Sequence, residues 1–314
     1  MTRNFGRRPL TIALMEQKEV LKALQRDHAA ELKLAAERLA GTARHTEIIP
    51  SPTLSEMTGH EILLKPENLQ VTGSFKIRGA YNKIRSLTPE EASHGVIACS
   101  AGNHAQGVAF AARDMGIPAT ICIPAGAPLS KIEATRSYGA NVVLVPGVYD
   151  DAHAEAVRLR DEQGLTFIHP FDDERVMAGQ GTIGLEIAEQ LPDVDAVLVP
   201  IGGGGLIAGV ASALRQLKPA CRIIGVQAAG AASMADSLRA GHILTLPEVH
   251  TVADGIQVKT PGEKTFAICR EAVDEVVTVG EAEIASAILT VLERQKLMVE
   301  GAGAVGVAAA MYGE

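Results

Sequence analysis

Residues 196–214 read AVLVPIGGGGLIAGVASAL, a stretch without a single charged side chain. Its length suits a membrane span, but Pro200 and the four glycines Gly202 to Gly205 would break a spanning helix. A buried strand, a glycine turn and a helix satisfy the backbone instead. The same order of features occurs at 95–116, GVIACSAGNHAQGVAFAARDMG, followed by the apolar runs IPATICIP and NVVLVPG on either side of the helical KIEATRSYG. From Asp195 the rhythm restarts with AVLVP, a helix and RIIGVQ. Strands alternating with helices through short turns build parallel βαβ units. A chain of 314 residues exceeds what one core usually organises, so two open twisted-sheet α/β lobes with a cleft between them are expected. Ahead of them EQKEVLKALQRDHAAELKLAAERLAG is helical and charged, with no turn signal until Gly41. Residues 1–41 are expected to be a helical arm that packs on a neighbour.

Composition narrows the function classes. A net charge of −8 and 3% aromatic residues do not suit a nucleic-acid surface, which needs clustered Lys and Arg with stacking rings. The start, MTRNFGRRPLTIALMEQ, places arginines before a short apolar run, but Glu16 ends it and no small-residue cleavage site follows, so a signal peptide is not expected. Cys99, Cys122, Cys221 and Cys269 are far apart, each in an apolar segment. Buried free thiols and a cytoplasmic location are the expectation.

Three segments carry chemistry. In PIGGGGLIAG, between a strand and a helix, Gly202 to Gly205 can turn their amides toward a phosphate at the helix N-terminus. Gly203, Gly205 and Ala208 satisfy a loose dinucleotide fingerprint. The next strand, however, ends at Gln227 where an acid should hold a ribose hydroxyl, which weakens an NAD-dependent oxidoreductase reading. In SAGNHAQG, Ser100, Gly102, Asn103 and His104 offer donors at a second helix start, a seat for a carboxylate or a polar ring substituent. In KPENLQVTGSFKIRGA, Lys76 stands between a Thr-Gly-Ser turn and a helical run. Most lysines serve solvation, so its neighbours must decide whether it is a reagent.

ENLQVTGSFKIRGA, SAGNHAQGVA, GGGGLIAG and EGAGA (300–304), in this order and at these separations, resemble the pyridoxal-phosphate enzymes of the tryptophan-synthase-β fold type. The specific likeness, over roughly residues 42–312, is to the short, catabolic threonine/serine dehydratases. That resemblance implies a pyridoxal 5'-phosphate cleft between the lobes: a large cofactor domain from 42–71 and 168–314, and a small domain from 72–167. It implies that Lys76 forms the cofactor imine, Phe75 packs by the ring, Asn103 bonds the phenolic oxygen, and the amides of Gly202, Gly203, Gly204, Gly205 and Leu206 hold the phosphate. Ser100, Ala101, Gly102, Asn103 and His104 would seat the carboxylate of a small hydroxy amino acid. The implied product is a 2-keto acid with ammonia, and the implied assembly a homodimer or homotetramer. A lysine buried in a cleft is neutral part of the time, as such chemistry requires.

Departures from the pattern refine these expectations. Serine racemases of the family carry a second serine where this chain has Ala101, and an alanine transfers no proton, so elimination is expected to dominate racemisation. Gln227, Ala231 and Ser233 replace the acids that bind a divalent cation in some relatives, so no metal is assigned there. The sequence stops before the SGGN-like turn that meets the pyridine nitrogen in relatives, and before any regulatory domain. From this we expect an open sheet edge, an exposed GAVGVAAAMY run, and no control through such an extension. A cofactor-binding homologue with impaired turnover and a serine or hydroxyaspartate racemase-dehydratase are the alternatives.

Overall fold

The computed structural model describes residues 29–313. Most of the expected arm, residues 1–28, lies outside the described residues. Residues 29–39 are helical, and their apolar positions three and four apart form one stripe. That stripe buries Leu32, Ala35 and Leu39, Leu39 joining a core with Tyr81 and Ile84, while Arg38 hydrogen-bonds Asn82. This part of the arm packs on its own chain.

A short antiparallel pair, β1 (Ile49–Pro50) and β2 (Leu63–Leu64), brackets α1 (Pro52–Thr58). Then come α2 (Lys76–Arg85) and α3 (Pro89–His94). The first main sheet is built from β3 (Val96–Cys99), β4 (Ala119–Pro124), β5 (Asn141–Val145) and β6 (Thr166–Phe167), all parallel, in the order β5-β4-β3-β6. Its crossovers are α4 (Asn103–Asp114), α5 (Leu129–Ser137) and α6 (Tyr149–Gln163). β3 is buried at every position, as a strand covered on both faces must be. One face packs under α2 and α4, the other under Ala152 and Ala156 of α6.

The second main sheet, order β7-β8-β9, joins β7 (Ala196–Pro200), β8 (Arg222–Ala228) and β9 (Glu275–Val279), again parallel. Around it lie α7 (Glu174–Gln190), α8 (Gly205–Leu217), α9 (Ser233–Ala240), α10 (Glu263–Ala272), α11 (Glu281–Thr290) and α12 (Gly301–Tyr312). β7 pairs only with β8 among the described residues. The GAVGVAAAMY run is not the exposed surface expected of it. It forms α12, and Ala304, Val305, Ala308 and Ala309 bury against Val226 and Ala287.

α7 sets the spacing between the two sheets. A methyl group on Gly179 would overlap the Arg78 carbonyl oxygen, and one on Gly209 would overlap the Met177 carbonyl oxygen. Bare glycines at these crossings let α7 lie against both α2 and α8, whose first residues are Lys76 and Gly205. Below Lys76, the fully buried Arg78 forks onto Glu67 and Glu186, and Lys65 completes the cluster on Glu186. Every charge there is paired, as burial demands. The cysteines are buried and free, but Cys99 and Cys122, far apart in sequence, are register partners on β3 and β4.

Candidate active site

Parallel sheets present loops beyond the C-terminal ends of their strands, and a cleft there is the usual seat for a ligand. β7 ends in such a loop. Gly204 has φ +99°, a left-handed conformation that costs glycine little, and no side chain caps α8. The Gly203 carbonyl accepts from Thr265 Oγ1 at 2.6 Å and from the Gly262 amide, which leaves the peptide amides to face the other way. From Gly202 to Leu206 no amide has a hydrogen-bond partner among the described residues. A Cβ on Gly203 would meet the Phe171 ring at 2.5 Å, and one on Gly204 would meet Thr265 and Met234. Consecutive free amides at the start of a thirteen-residue helix make a cradle for a phosphate, and only glycines leave it open.

β3 ends in the second loop. The Gly102 amide donates to Ser100 Oγ at 3.2 Å, and the amides of Asn103, His104 and Ala105 have no partner among the described residues. Gly107 lets α4 approach the first turn of α2, where a Cβ would sit 3.1 Å from the Lys76 carbonyl. The structure thus brings Asn103 and Lys76, each the first residue of its helix, to the same place. Asn103 Nδ2 donates to Glu300 Oε1 at 2.7 Å, at the start of α12. The expected phenolic partner of Asn103 would share that amide with Glu300.

Lys76 Nζ donates to the Pro170 carbonyl at 2.8 Å and lies 5.5 Å from the centre of the Phe75 ring. Burial of the amine lowers its pKa to about 8, against the pull of the Glu300 carboxylate. About a tenth of the amine is therefore neutral at pH 7. Partial burial, and then the charge of Asp254, raise the pKa of Glu300, while the Asn103 hydrogen bond, Lys131 and Lys76 oppose the rise. Lys65 and Lys83 are held elsewhere, on Glu186 and Asp173.

The His104 side chain does not join the carboxylate seat. It is buried, with Nε2 2.8 Å from the Ile168 carbonyl, so only its amide faces the loop's open side. Ala101 packs against the apolar core and offers no proton carrier. Gln227 is also committed: its amide donates toward Ile201 and Ala231 and accepts from the Ala235 amide. No cluster of three or more metal-ligating side chains occurs among the described residues.

Sequence reasoning missed Glu300 as a side chain, although its EGAGA motif was noted, and missed the crossing segment 168–173 altogether. That segment supplies the carbonyls for His104 and Lys76. Its Asp172 accepts from the amides of Glu263, Lys264 and Thr265, and Asp173 caps α7. The available signal was HPFDD, a proline and two capping acids directly before a helical run.

Free amides at one helix start, and a lysine of lowered pKa beside a second, suit a cofactor that carries a phosphate and reacts with an amine. The chain belongs to the pyridoxal-phosphate dependent enzyme family, whose model matches residues 39–314. Its fold is that of the tryptophan-synthase-β type, and its cofactor is pyridoxal phosphate. It is 54% identical to an L-threonine ammonia-lyase of Thermotoga maritima over 281 residues, 90% of this chain and 70% of that one. The processed threonine deaminase isoform 2 of Solanum lycopersicum superposes with a TM-score of 0.88 at 42% identity, covering 92% of this chain and 80% of the other. A maize serine racemase superposes with a TM-score of 0.88 at 39% identity, over 90% and 86%.

Proposed function

We propose that the chain is an ammonia-lyase that converts L-threonine to 2-oxobutanoate and ammonia, and L-serine to pyruvate and ammonia. The observation that carries this reading is the buried Lys76 amine, its pKa lowered to about 8, held on the Pro170 carbonyl next to the uncapped start of α4, while the adjoining Phe171 lies against the glycine loop before α8. In the reading, Gly202 to Leu206 hold the phosphate, Phe75 packs beside the ring, and Asn103 bonds the ring's phenolic oxygen. The Ser100–His104 loop, through its amides and Ser100 Oγ, seats the substrate carboxylate. Pyridoxal phosphate, when bound, supplies the carbonyl that captures the substrate amine and the ring that delocalises charge from the α-carbon. Lys76 Nζ, neutral once released, takes the α-proton on one face. Pro170 orients that amine, and Phe171 keeps water from the glycine loop.

The β-hydroxyl then leaves as water, and hydrolysis returns a water and frees ammonia, so the atoms of threonine are conserved between keto acid and ammonia. Ala101 supports elimination over racemisation, because nothing at that position carries a proton to the opposite face. Residues 42–71 and 168–314 serve in this reading as the cofactor lobe and 72–167 as the smaller lobe. The four buried thiols support a reducing, cytoplasmic location, and a homodimer or homotetramer follows from the family resemblance. No described helix is long and apolar enough to cross a membrane.

The test is keto-acid and D-serine release from L-threonine, L-serine and 3-hydroxyaspartate by the holoenzyme. Keto acid from threonine is the expected result. D-serine formed from L-serine as fast as pyruvate would select the racemase alternative, and a cofactor-lysine absorbance without any turnover would select the impaired homologue.

A further inference from the structure

Among the described residues, three buried side-chain polar atoms lack a hydrogen-bond partner: Thr72 Oγ1, Ser74 Oγ and His104 Nδ1. All three lie in the two segments that meet at Lys76, and orphaned buried groups call for a physical reason. For His104 the chemistry is well defined. Its Nε2 faces the Ile168 carbonyl at 2.8 Å, and a carbonyl only accepts, so Nε2 carries the proton. Burial, reinforced by the charge of Lys76, lowers its pKa to about 3, so the ring is neutral and Nδ1 is a bare acceptor.

Two residues beyond Ile168, the Pro170 carbonyl accepts from Lys76 Nζ. His104 and Lys76 therefore hold the same short segment from neighbouring helices, α4 and α2, which touch at Gly107. The far end of the segment is fixed as well: His169 Nδ1 accepts from the amides of Phe171 and Asp172, at 3.3 and 2.7 Å. A protonated lysine has three donors, and Pro170 satisfies one.

We propose that the His104 side chain is a positioning residue for Lys76: its Nε2–H fixes the segment that presents the Pro170 carbonyl to the Lys76 amine. The idea rests on Lys76 being the reacting amine. The other titratable groups that bear on the two side chains are Glu300, from the start of α12, and His169, which burial holds near pKa 4. His169 is thus neutral above pH 6, and Lys76 is the group that titrates near pH 8.

The experiment compares the full chain with His104→Leu, which removes both ring nitrogens, and His104→Gln, which keeps a donor at the Nε2 position. In cofactor-free protein, the pH dependence of the rate of forming the cofactor-lysine absorbance reads the Lys76 pKa. Its midpoint is expected to fall by about one pH unit in His104→Leu, because the released segment no longer holds the Pro170 carbonyl on the ammonium. With L-threonine, kcat should fall roughly tenfold while KM stays within about twofold, and His104→Gln should recover most of kcat. Nitrogen-15 NMR of the histidine rings in the unmodified chain should show the Nε2–H tautomer.

An unchanged midpoint and kcat in His104→Leu would overturn the proposal. So would a raised KM at constant kcat, which would put the ring on the substrate, or an Nδ1–H tautomer. If His104→Leu does not fold, the His104→Gln kinetics and the tautomer decide. If the unmodified chain releases no keto acid, the reaction assignment fails, while the absorbance and NMR measurements still test His104.

Discussion

The two strand–turn–helix units at the site, β3 into α4 and β7 into α8, solve the same local problem by different means. The α8 start uses only backbone: five consecutive free amides, a left-handed Gly204, and walls from Phe171 and Thr265 that leave no room for a side chain. The α4 start uses side chains as well: Ser100 Oγ accepts the Gly102 amide, Asn103 reaches Glu300, and His104 turns inward to Ile168. A backbone cradle suits a group that is the same in every turnover. Side chains suit a seat that must admit, orient and release a changing molecule. Substitutions should therefore act on cofactor retention at α8 and on turnover at α4.

Lys76 lies where the two units meet, and its loss should have the largest effect. Lys76→Ala is expected to abolish both the cofactor-lysine absorbance and keto-acid release, since Lys65 and Lys83 are tied to Glu186 and Asp173. Retained absorbance that borohydride discharges would assign the chemistry to another amine.

Next in size is the cradle. Gly204→Val combines a forbidden φ with a clash on Thr265, and should weaken cofactor binding by roughly a hundredfold, about 2.7 kcal/mol, before it unfolds the chain. Asn103→Ala should leave cofactor binding within about tenfold while lowering kcat/KM further than that, because one hydrogen bond is worth roughly 0.5–1.5 kcal/mol in binding alone. Equal effects of both substitutions on cofactor dissociation would erase the distinction between the two units.

The amine itself gives a pH signature. Capture of cofactor by cofactor-free protein needs neutral Lys76, so its rate should rise roughly tenfold from pH 7 to 9 and level off above the pKa of about 8. The sign for stability follows from the same shift. Between about 8 and 10.5 the unfolded chain binds more protons than the folded one, so Lys76 makes the cofactor-free fold more stable as pH rises through that window. A flat capture rate, followed by stopped-flow absorbance, would mean the amine is not depressed.

The smallest effect belongs to Ala101→Ser, which should raise D-serine from L-serine to a detectable minority of product while pyruvate still dominates. No D-serine at all would show that position 101 does not face the α-carbon.

The sequence by itself determined the elements and the chemistry at their ends. Strand–helix alternation, the two glycine-bearing turns and the placement of Lys76 at a helix start all follow from propensities and turn chemistry acting within a few residues. What surrounds those ends was decided by packing. The Asn103–Glu300 hydrogen bond joins residues 197 apart, and the Lys76–Pro170 bond residues 94 apart. Neither leaves a local trace, because each depends on how two sheets sit across α7. The inward turn of His104 has the same origin: a helix start looks alike in sequence whether its side chain meets a substrate or a carbonyl from a distant strand. Cys99 and Cys122 became neighbours only when β4 paired with β3 in register. The apolar run of α12 became core only when α12 covered a face of the second sheet. Periodicity fixes which residues can be buried, and the sheet order then selects what they are buried against.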